Sequence, residues 1–270
     1  MEVFAIMKKL IVFVAQECCA GISEVSILNS LFCVQSMAED ANAVAREAKE
    51  LGYETFIYAL HHYVSKDNPR YIGNYLQDCE PVTDDNLSEI LTDCDKAVLL
   101  GIPAMQGTQG SFIDRNYGNV WFDYKINGQR YGQMGLLKHL LDAYSIPVIA
   151  VMSDTAGVQE AKGLFDGVLT VTSVYDAFIS PGGWQCCSCY PVKEVRENIS
   201  KAIKSALDCE WKIPAKPIMP INVEIEYMRT DYCDIACVLN DKLTRLDGRR
   251  VAWRIDELTS LEDLITRGEE

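Results

Sequence analysis

The amino-acid sequence predicts an α/β protein with a mostly parallel sheet flanked by helices. Continuous apolar runs rich in β-branched residues, such as residues 9–15 and 96–102, are typical of strands covered on both faces. Between these runs stand segments rich in helix-forming residues, such as residues 36–51, which end at Gly52, a common helix-terminating residue. Strands that alternate with helices favour right-handed βαβ units and therefore a parallel sheet.

The remaining elements continue this alternation, with one interruption. Further strands are predicted at residues 54–60, 147–152 and 167–174, and further helices at residues 86–94, 132–144, 155–165 and 192–207. The interruption is a hairpin insertion in which residues 120–126 and 130–131 flank Asn127 and Gly128, a pair that favours a two-residue turn.

The order of elements predicts a main α/β domain and a smaller appendage. The main domain covers residues 1–209, a proline-rich connection covers residues 210–220, and a small C-terminal α/β portion covers residues 221–270. We expect this portion to pack on the main domain, with strands at residues 222–227 and 249–254 and helices at residues 231–239 and 260–267.

Composition narrows the class of protein. The chain has 270 residues, of which 49% are hydrophobic and 24% charged, which is typical of a globular protein with a sizeable core. Its net charge of −14 opposes binding to nucleic acid or to anionic lipid, since both depend on Lys and Arg contacts with phosphates. We therefore expect neither nucleic acid nor a membrane as a partner.

The cysteine count indicates the compartment. Eleven cysteines are present, an odd number, and the apolar run at residues 10–15 is too short for a signal sequence or a membrane span. We therefore expect a cytoplasmic protein whose thiols are reduced and mostly buried. Cys186, Cys187 and Cys189 lack a second cysteine pair nearby at zinc-ribbon spacing, so a structural zinc site there is disfavoured.

Candidate functional residues follow the predicted strands. In open α/β sheets, ligands bind just beyond the carboxyl ends of the strands. The first strand is followed by Glu17, Cys18 and Cys19, the second by His61 and His62, and the third by a glycine-containing loop that ends at Asp114. Each has a structural alternative, namely a solvated carboxylate, a hydrogen-bonded structural histidine or a flexible loop.

The order of these motifs resembles the M55 peptidase family of D-aminopeptidases. The helix start of that family, Gly-Glu-Leu-Gly-Leu-Asn, is similar to residues 132–137, and its Val-Pro-Val strand with a following Gly-Asp-Asp turn resembles residues 146–154. Its Gly-Ile-Ser is present at residues 21–23, and its Leu-Gly-Tyr-His-Ala motif resembles residues 100–104. The resemblance implies the fold of that family, two zinc ions, removal of D-amino acids from short peptides, and assembly into rings.

The resemblance also implies a degenerate metal site. The Asp-x-Glu motif of the family falls on residues 15–17, which keep Glu17 but carry Ala15 in place of the aspartate that bridges both metals. The histidine after strand two corresponds to His62.

At three further positions this chain departs from the pattern of the family. Pro103 stands in place of the histidine of Leu-Gly-Tyr-His-Ala, Gln133 in place of a glutamate ligand, and the catalytic histidine falls near Asp114. Two adjacent divalent cations need bridging and flanking carboxylates to offset their repulsion. A two-zinc site is therefore not expected, although Glu17 and His62 could hold one zinc.

Two classes of function remain open at this point. The first is a diverged hydrolase acting on a small peptide or amide, through one metal or through Cys18 or Cys19 with His62 as base, and with Asp114 and Gln133 in the same site. The second is a non-catalytic binding or assembly protein that keeps the fold. An ordinary zinc D-aminopeptidase is a further alternative. In each case we expect a homo-oligomer, to which the apolar residues 120–124 would contribute buried surface.

Overall fold

The computed structural model describes residues 7–60 and 66–266. The strands in that part of the chain are β1 (Lys8–Val14), β2 (Tyr53–Ala59), β3 (Glu80–Val82), β4 (Lys96–Leu100), β5 (Trp121–Ile126), β6 (Gln129–Arg130), β7 (Val148–Asp154), β8 (Leu169–Ile179), β9 (Gln185–Cys189), β10 (Ile221–Tyr227), β11 (Thr244–Arg245) and β12 (Arg250–Ile255). The α-helices there are α1 (Leu31–Glu50), α2 (Asp84–Asp93), α3 (Gln133–Ala143), α4 (Thr155–Leu164), α5 (Val192–Asp208) and α6 (Thr230–Leu239).

Sheet A is the mostly parallel sheet that the sequence predicts. Its strand order is β3-β2-β1-β4-β7-β8-β9, in which every neighbouring pair is parallel except β8 and β9. The predicted α/β class is therefore confirmed. The sheet reverses its strand order around β1 and β4, so the chain segments that follow these two strands leave the same edge side by side.

Side chains of β1 alternate between two hydrophobic cores. Ile11 and Phe13 are fully buried on one face of sheet A, with residues of α3 and of the second sheet. Leu10 and Val12 are fully buried on the other face, with residues of α1 and α5. Full burial of such a side chain stabilises the fold by about 1.5–3 kcal/mol. The apolar run of β1 is thus explained by burial on both faces.

A second sheet joins the predicted hairpin to the C-terminal strands. Its order is β11-β12-β10-β5-β6, and all its pairs are antiparallel. The hairpin β5–β6 is confirmed, and its turn residues Asn127 and Gly128 both have positive φ, as a type I′ turn requires. Residues 210–220 form neither helix nor strand. The predicted division into residues 1–209 and 221–270 stays a prediction, while the second sheet combines strands from both.

Three local expectations differ from the structure. Trp121 and Tyr124 are 1% exposed and stack in the core, so residues 120–124 leave chiefly Phe122 at the surface. The helix expected over residues 260–267 is only a 3-10 turn, Leu261–Asp263. Strand β8 extends beyond residue 174 because β9 pairs with it, which places Cys186, Cys187 and Cys189 on a strand instead of a loop.

Every helix in residues 7–60 and 66–266 is too short or too polar to cross a lipid bilayer.

The first prediction concerns the close approach of two chain segments at Gly101. This residue has φ +70°, and a Cβ atom placed on it would lie 2.2 Å from the carbonyl oxygen of Ala15. We expect Gly101→Ala to lower the free energy of unfolding by about 3 kcal/mol, because both the backbone conformation and the contact become strained. Urea denaturation measures this.

Gly163 provides the matched control. It lies on α4 with no atom within 4 Å of an added Cβ, so Gly163→Ala should raise the free energy of unfolding by about 0.5–1 kcal/mol. Equal effects of the two substitutions would contradict the role of Gly101.

Candidate functional site

The candidate site lies at the carboxyl ends of β1, β4 and β7. There the backbone continues the sheet pairing past the strands: Ala15 N donates to Leu100 O at 2.8 Å, and Gly101 N donates to Met152 O at 2.8 Å. Cys18 N then donates to Gly101 O at 3.1 Å. These bonds hold the turn after β1 against the loop after β4, so the residues that follow both strands meet at one place.

Glu17 forms an ion pair with Arg115 at this edge. The carboxylate is 1% exposed, and its Oε1 accepts a hydrogen bond from Arg115 Nη1. Arg115 is itself mostly buried, and its Nη2 donates to Asn119 Oδ1. A buried carboxylate is stable only when a charge or hydrogen-bond donors compensate it, and Arg115 supplies that compensation. Sequence reasoning did not single out Arg115, although it directly follows Asp114 in the loop after β4.

Two polar atoms of this pair have no hydrogen-bond partner within the part of the chain that the structure describes. They are Glu17 Oε2, an acceptor, and Arg115 Nε, a donor. Buried polar atoms in folded proteins nearly always have a partner, and in its absence each costs about 1–3 kcal/mol. Because both atoms are shielded from bulk solvent, each needs an ordered water or a ligand group that enters the buried site as its partner.

Gln133 contacts the loop that carries Arg115 and belongs to a chain of neutral amides. It is fully buried at the start of α3, and its Nε2 donates to Asn116 O at 3.3 Å. Asn116 Nδ2 in turn donates to Gln106 Oε1 at 3.1 Å. Because Gln133 uses its amide as a donor to the residue after Arg115, it supports the loop that carries the guanidinium.

Asp114 closes the loop after β4. Its Oδ2 accepts a hydrogen bond from Gly107 N at 2.5 Å, and the residue forms an isolated parallel bridge with Ala104. Arg115 N donates to Ala104 O at 3.0 Å, which continues that bridge. Asp114 therefore helps to place Arg115 opposite Glu17.

Two further carboxyls hold the same loop from the side of α4. Asp154 Oδ2 accepts from Ser111 Oγ and Phe112 N, both at 2.7 Å, and its Oδ1 accepts from Gly157 N at the start of α4. Glu160 Oε2 accepts from Met105 N at 2.6 Å. Burial, reinforced by the negative charge of Asp154, raises the pKa of Glu160 to about 7 despite the opposing effect of that hydrogen bond.

Cys18 and Cys19, the candidate nucleophiles predicted from the sequence, are both buried. Burial raises the pKa of the Cys18 thiol well above its usual value, and the charge of Asp154 raises it further. Cys19 lies 3.7 Å from Cys33, sulfur to sulfur, and burial raises its pKa as well. Neither thiol has the exposure or the lowered pKa that activates a cysteine nucleophile.

Cys187 contacts the same turn from the far side. Its Sγ donates to Ile22 O at 3.3 Å, and its backbone N donates to Ser23 O at 2.9 Å. Cys186 and Cys189 are partly exposed on either side of it. This strand therefore supports the turn after β1 through its backbone.

His62 lies outside the described residues, as does His61. Leu60 is the last described residue before His61, and its backbone N donates to Val14 O at 2.9 Å. That bond places the end of β2 beside the turn that carries Glu17. The distance from His62 to Glu17, Cys18 and Cys19 therefore stays a prediction.

The donor set in the described residues does not fit a two-zinc centre. No three histidine, cysteine, aspartate or glutamate side chains converge in residues 7–60 or 66–266. More directly, the Arg115 guanidinium neutralises Glu17, the carboxylate that the resemblance in the sequence likens to a metal ligand, and its positive charge opposes the approach of a metal cation. Pro103 has no donor atom for a metal, and the Gln133 amide is already a hydrogen-bond donor.

The pKa of Glu160 generates a prediction for stability. Its value of about 7 in the folded chain exceeds the unfolded value of 4.5, so the folded state holds the proton more tightly. This contribution to stability is complete below pH 4.5 and is lost as the pH rises through 7. Glu160→Gln should therefore be increasingly more stable than the unmodified chain across this range, by on the order of 2 kcal/mol at pH 8.

Thermal or urea unfolding at a series of pH values measures this difference. Glu210→Gln, at an exposed carboxylate of the 210–220 connection, is the control and should show a difference that does not change with pH. A pH-independent difference for Glu160→Gln would contradict the prediction.

The burial of Cys18 and Cys19 generates a second prediction here. With iodoacetamide at pH 7.5, exposed Cys209 should be alkylated while Cys18 and Cys19 stay unmodified until the chain is denatured. Peptide mass spectrometry reports each position. Alkylation of Cys18 in the native protein at the rate of Cys209 would instead support a thiolate nucleophile.

Comparison with known proteins gives the family. A family model described as D-aminopeptidase, the M55 peptidases, matches residues 16–266. Comparison with curated proteins finds no match. Among solved structures, the fold is similar to the Zn-dependent D-aminopeptidase DppA from Bacillus subtilis, a self-compartmentalizing protease, with 20% identity, a TM-score of 0.79, and 94% of this chain and 93% of that chain covered.

A weaker likeness is to the C-terminal domain of the coenzyme A biosynthesis bifunctional protein CoaBC. It has 12% identity and a TM-score of 0.35, over 75% of this chain and 99% of that chain. The match to the family model spans nearly the whole chain and agrees with the resemblance found in the sequence. The chain therefore belongs to the M55 family of D-aminopeptidases.

Proposed function

We propose that this chain binds a short peptide or a related amide at the carboxyl edge of sheet A without two-metal hydrolysis. The observation that carries the proposal is the buried ion pair between Glu17 and Arg115. The similar solved structure is described as Zn-dependent. In this chain the Arg115 side chain supplies a positive charge to Glu17, the one acidic residue that remains from the Asp-x-Glu motif of the family.

Energetics favours the ion pair over a metal at Glu17. Removal of one partner from a buried ion pair typically costs about 3–5 kcal/mol, because the other charge stays buried and uncompensated. A zinc ion at Glu17 would have to displace Arg115 and then find its remaining ligands. The side chains of Ala15, Pro103 and Gln133 are uncharged, so none of them provides an anionic ligand for the zinc. A single zinc held by Glu17 and His62 is the metal-bound form that remains to be tested.

The unpartnered atoms of the ion pair support an amide ligand. Glu17 Oε2 accepts and Arg115 Nε donates, and a peptide group carries both an N–H and a C=O. The net charge of the chain, −14, weighs against a polyanionic ligand such as nucleic acid. An uncharged amide or a peptide with a free ammonium group is compatible with this environment.

The alternative functions are supported less well by the geometry. Hydrolysis by a Cys/His pair requires an accessible thiolate, and both Cys18 and Cys19 are buried with raised pKa values. The function of an ordinary zinc D-aminopeptidase is supported by the family match over residues 16–266 and not by the geometry of the site. Hydrolytic activity therefore remains the second candidate function, and it would place a metal where Arg115 now lies.

The cellular setting proposed from the sequence is a cytoplasmic homo-oligomer. All eleven cysteines are free thiols, which supports a reducing compartment. The similar solved structure is described as self-compartmentalizing, which supports the assembly of this chain with copies of itself, as a ring. Neither nucleic acid nor a membrane is proposed as a partner.

The proposal is tested by three measurements on the purified protein. Mass-spectrometric metal analysis should give well below two zinc ions per chain. Incubation with a D-aminoacyl dipeptide and added zinc should give no hydrolysis that chelation abolishes. Calorimetric titration with the same dipeptide should detect binding, and Arg115→Met should weaken that binding at least about tenfold, equivalent to 1.4 kcal/mol.

Arg245→Met is the control for the binding measurement. Arg245 also pairs with a carboxylate, Asp234, but between β11, the edge strand of the second sheet, and α6. It should leave dipeptide affinity unchanged. Two zinc ions per chain together with chelator-sensitive hydrolysis would overturn the proposal in favour of the ordinary zinc enzyme. Absence of dipeptide binding would overturn the proposed ligand.

A further inference from the structure

Strands β8 and β9 extend past the edge of sheet A as a hairpin arm, defined here as residues 175–188. Pairing of β8 with β7 ends at Val174, opposite Asp154, whereas β8 continues for five more residues to Ile179. At about 3.3 Å per residue, the arm projects roughly 16 Å beyond β7. In the described residues its only further strand-like contact is the bridge between Cys186 and Glu24.

The arm is closed by a hydrogen-bonded turn. Ser180 N donates to Trp184 O at 2.8 Å, Gly183 N donates to Ser180 O at 2.9 Å, and Trp184 N donates to Ser180 Oγ at 3.2 Å. Gly183 has φ +81°, which a glycine adopts without strain. The turn therefore presents its flanking side chains in a defined arrangement and not as a flexible loop.

Large apolar side chains are exposed on this arm. Phe178 is 50% exposed, Ile179 65% and Trp184 60%. Phe178 pairs with Cys186 and Ile179 with Gln185, so strand alternation places Phe178 and Trp184 on one face and Ile179 on the other. Aromatic residues next to each other at a projecting tip are typical of interface anchors, and exposed apolar clusters of this kind are costly in water.

We propose that the arm docks onto a second copy of this chain, with Phe178 and Trp184 as the anchors. The proposal rests on the homo-oligomer proposed above and names the surface that forms it. Buried aromatic side chains each contribute about 150–250 Å² to a contact. Half-exposed, the two aromatic residues of one arm supply on the order of 200 Å², the apolar centre of an interface of about 800 Å² per partner.

The base of the arm connects this interface to the candidate site. Gln185 Nε2 donates a hydrogen bond to Phe112 O, in the loop that Asp154 holds. Cys187 N donates to Ser23 O at 2.9 Å, in the segment that follows the turn with Glu17. A copy that docks on the arm therefore lies beside both loops of the strand-end site and restricts access to it.

Helix α6 offers a competing apolar surface and serves as the control. Ile235, Val238 and Leu239 are exposed on it, Val238 at 84%. This surface lies on the helix that packs on the second sheet, away from the strand ends of sheet A. It has no projecting hairpin, so it makes a flat contact and not an inserted one.

The experiment measures the oligomeric state by size-exclusion chromatography with light scattering at about 10 µM. The unmodified chain and Val238→Ser should both form the oligomer. The double variant Phe178→Ser and Trp184→Ser should elute as a monomer, and Trp184→Phe, which keeps an aromatic side chain, should retain assembly. A cooperative thermal unfolding transition and an unchanged far-ultraviolet circular dichroism spectrum of the double variant show that the chain still folds.

The outcomes separate the inference from the proposals on which it depends. If the double variant still assembles, the arm is not the interface, while the homo-oligomer stands. If Val238→Ser is the variant that dissociates, the interface lies on α6 and the inference is overturned. If the unmodified chain is a monomer, both the homo-oligomer and the docking surface are overturned, and the dipeptide titration still decides the proposed ligand.

Discussion

The structure depends on the burial of β1 at the centre of sheet A. This strand pairs in parallel with β2 on one side and β4 on the other, and its side chains enter both hydrophobic cores. A strand with apolar side chains on both faces is stable only where both faces of the sheet are covered. Because β1 pairs in parallel with β2 and β4, the carboxyl ends of these three strands lie at the same edge of the sheet, and this determines the place of the candidate site.

The close approach of those segments shapes the site. Gly101 passes so near Ala15 that a side chain would not fit, and Cys18 N bonds back to Gly101 O. The resulting turn directs Glu17 inward, to 1% exposure, where its charge requires compensation. The loop after β4 brings Arg115 to it, and Asp114 and Gln133 hold that loop in place through backbone contacts. Glu17, Asp114 and Gln133, which the sequence likens to metal ligands or catalytic residues of the family, thus form contacts that stabilise the loops of the site.

The carboxyls around this edge are stabilised in three different ways. Glu17 has the guanidinium of Arg115, Asp154 has two backbone N–H groups and a serine hydroxyl, and Glu160 is partly protonated near neutral pH because it has one N–H donor and a negative neighbour. Divalent cations would stabilise such a set in another way, by bridging. Because each of these carboxyls is already stabilised without a metal, we propose a ligand that is held by hydrogen bonds and charge.

The sequence alone determined the elements whose signals are local. Apolar runs, alanine-rich helix segments and the Asn127–Gly128 turn predicted the parallel sheet, its helices and the hairpin, because backbone preference and burial pattern act within a few residues. It also placed Glu17, Cys18 and Cys19 directly after β1, Asp114 in the loop after β4, and Gln133 at the start of a helix. It missed the β8–β9 arm, although Pro181, Gly182 and Gly183 between two apolar runs are a recognisable turn signal.

Only the tertiary structure decided which of these side chains meet and which are exposed. Arg115 is 98 residues from Glu17 along the chain, so no spacing rule connects them. The burial of Cys18 and Cys19 follows from α1, α5 and β9 closing over the turn, and the union of β5 with β10 joins segments that the sequence separates. The reason is that charge compensation and thiol accessibility depend on neighbours in space, whereas the periodicity of a sequence reports only which face of an element is buried.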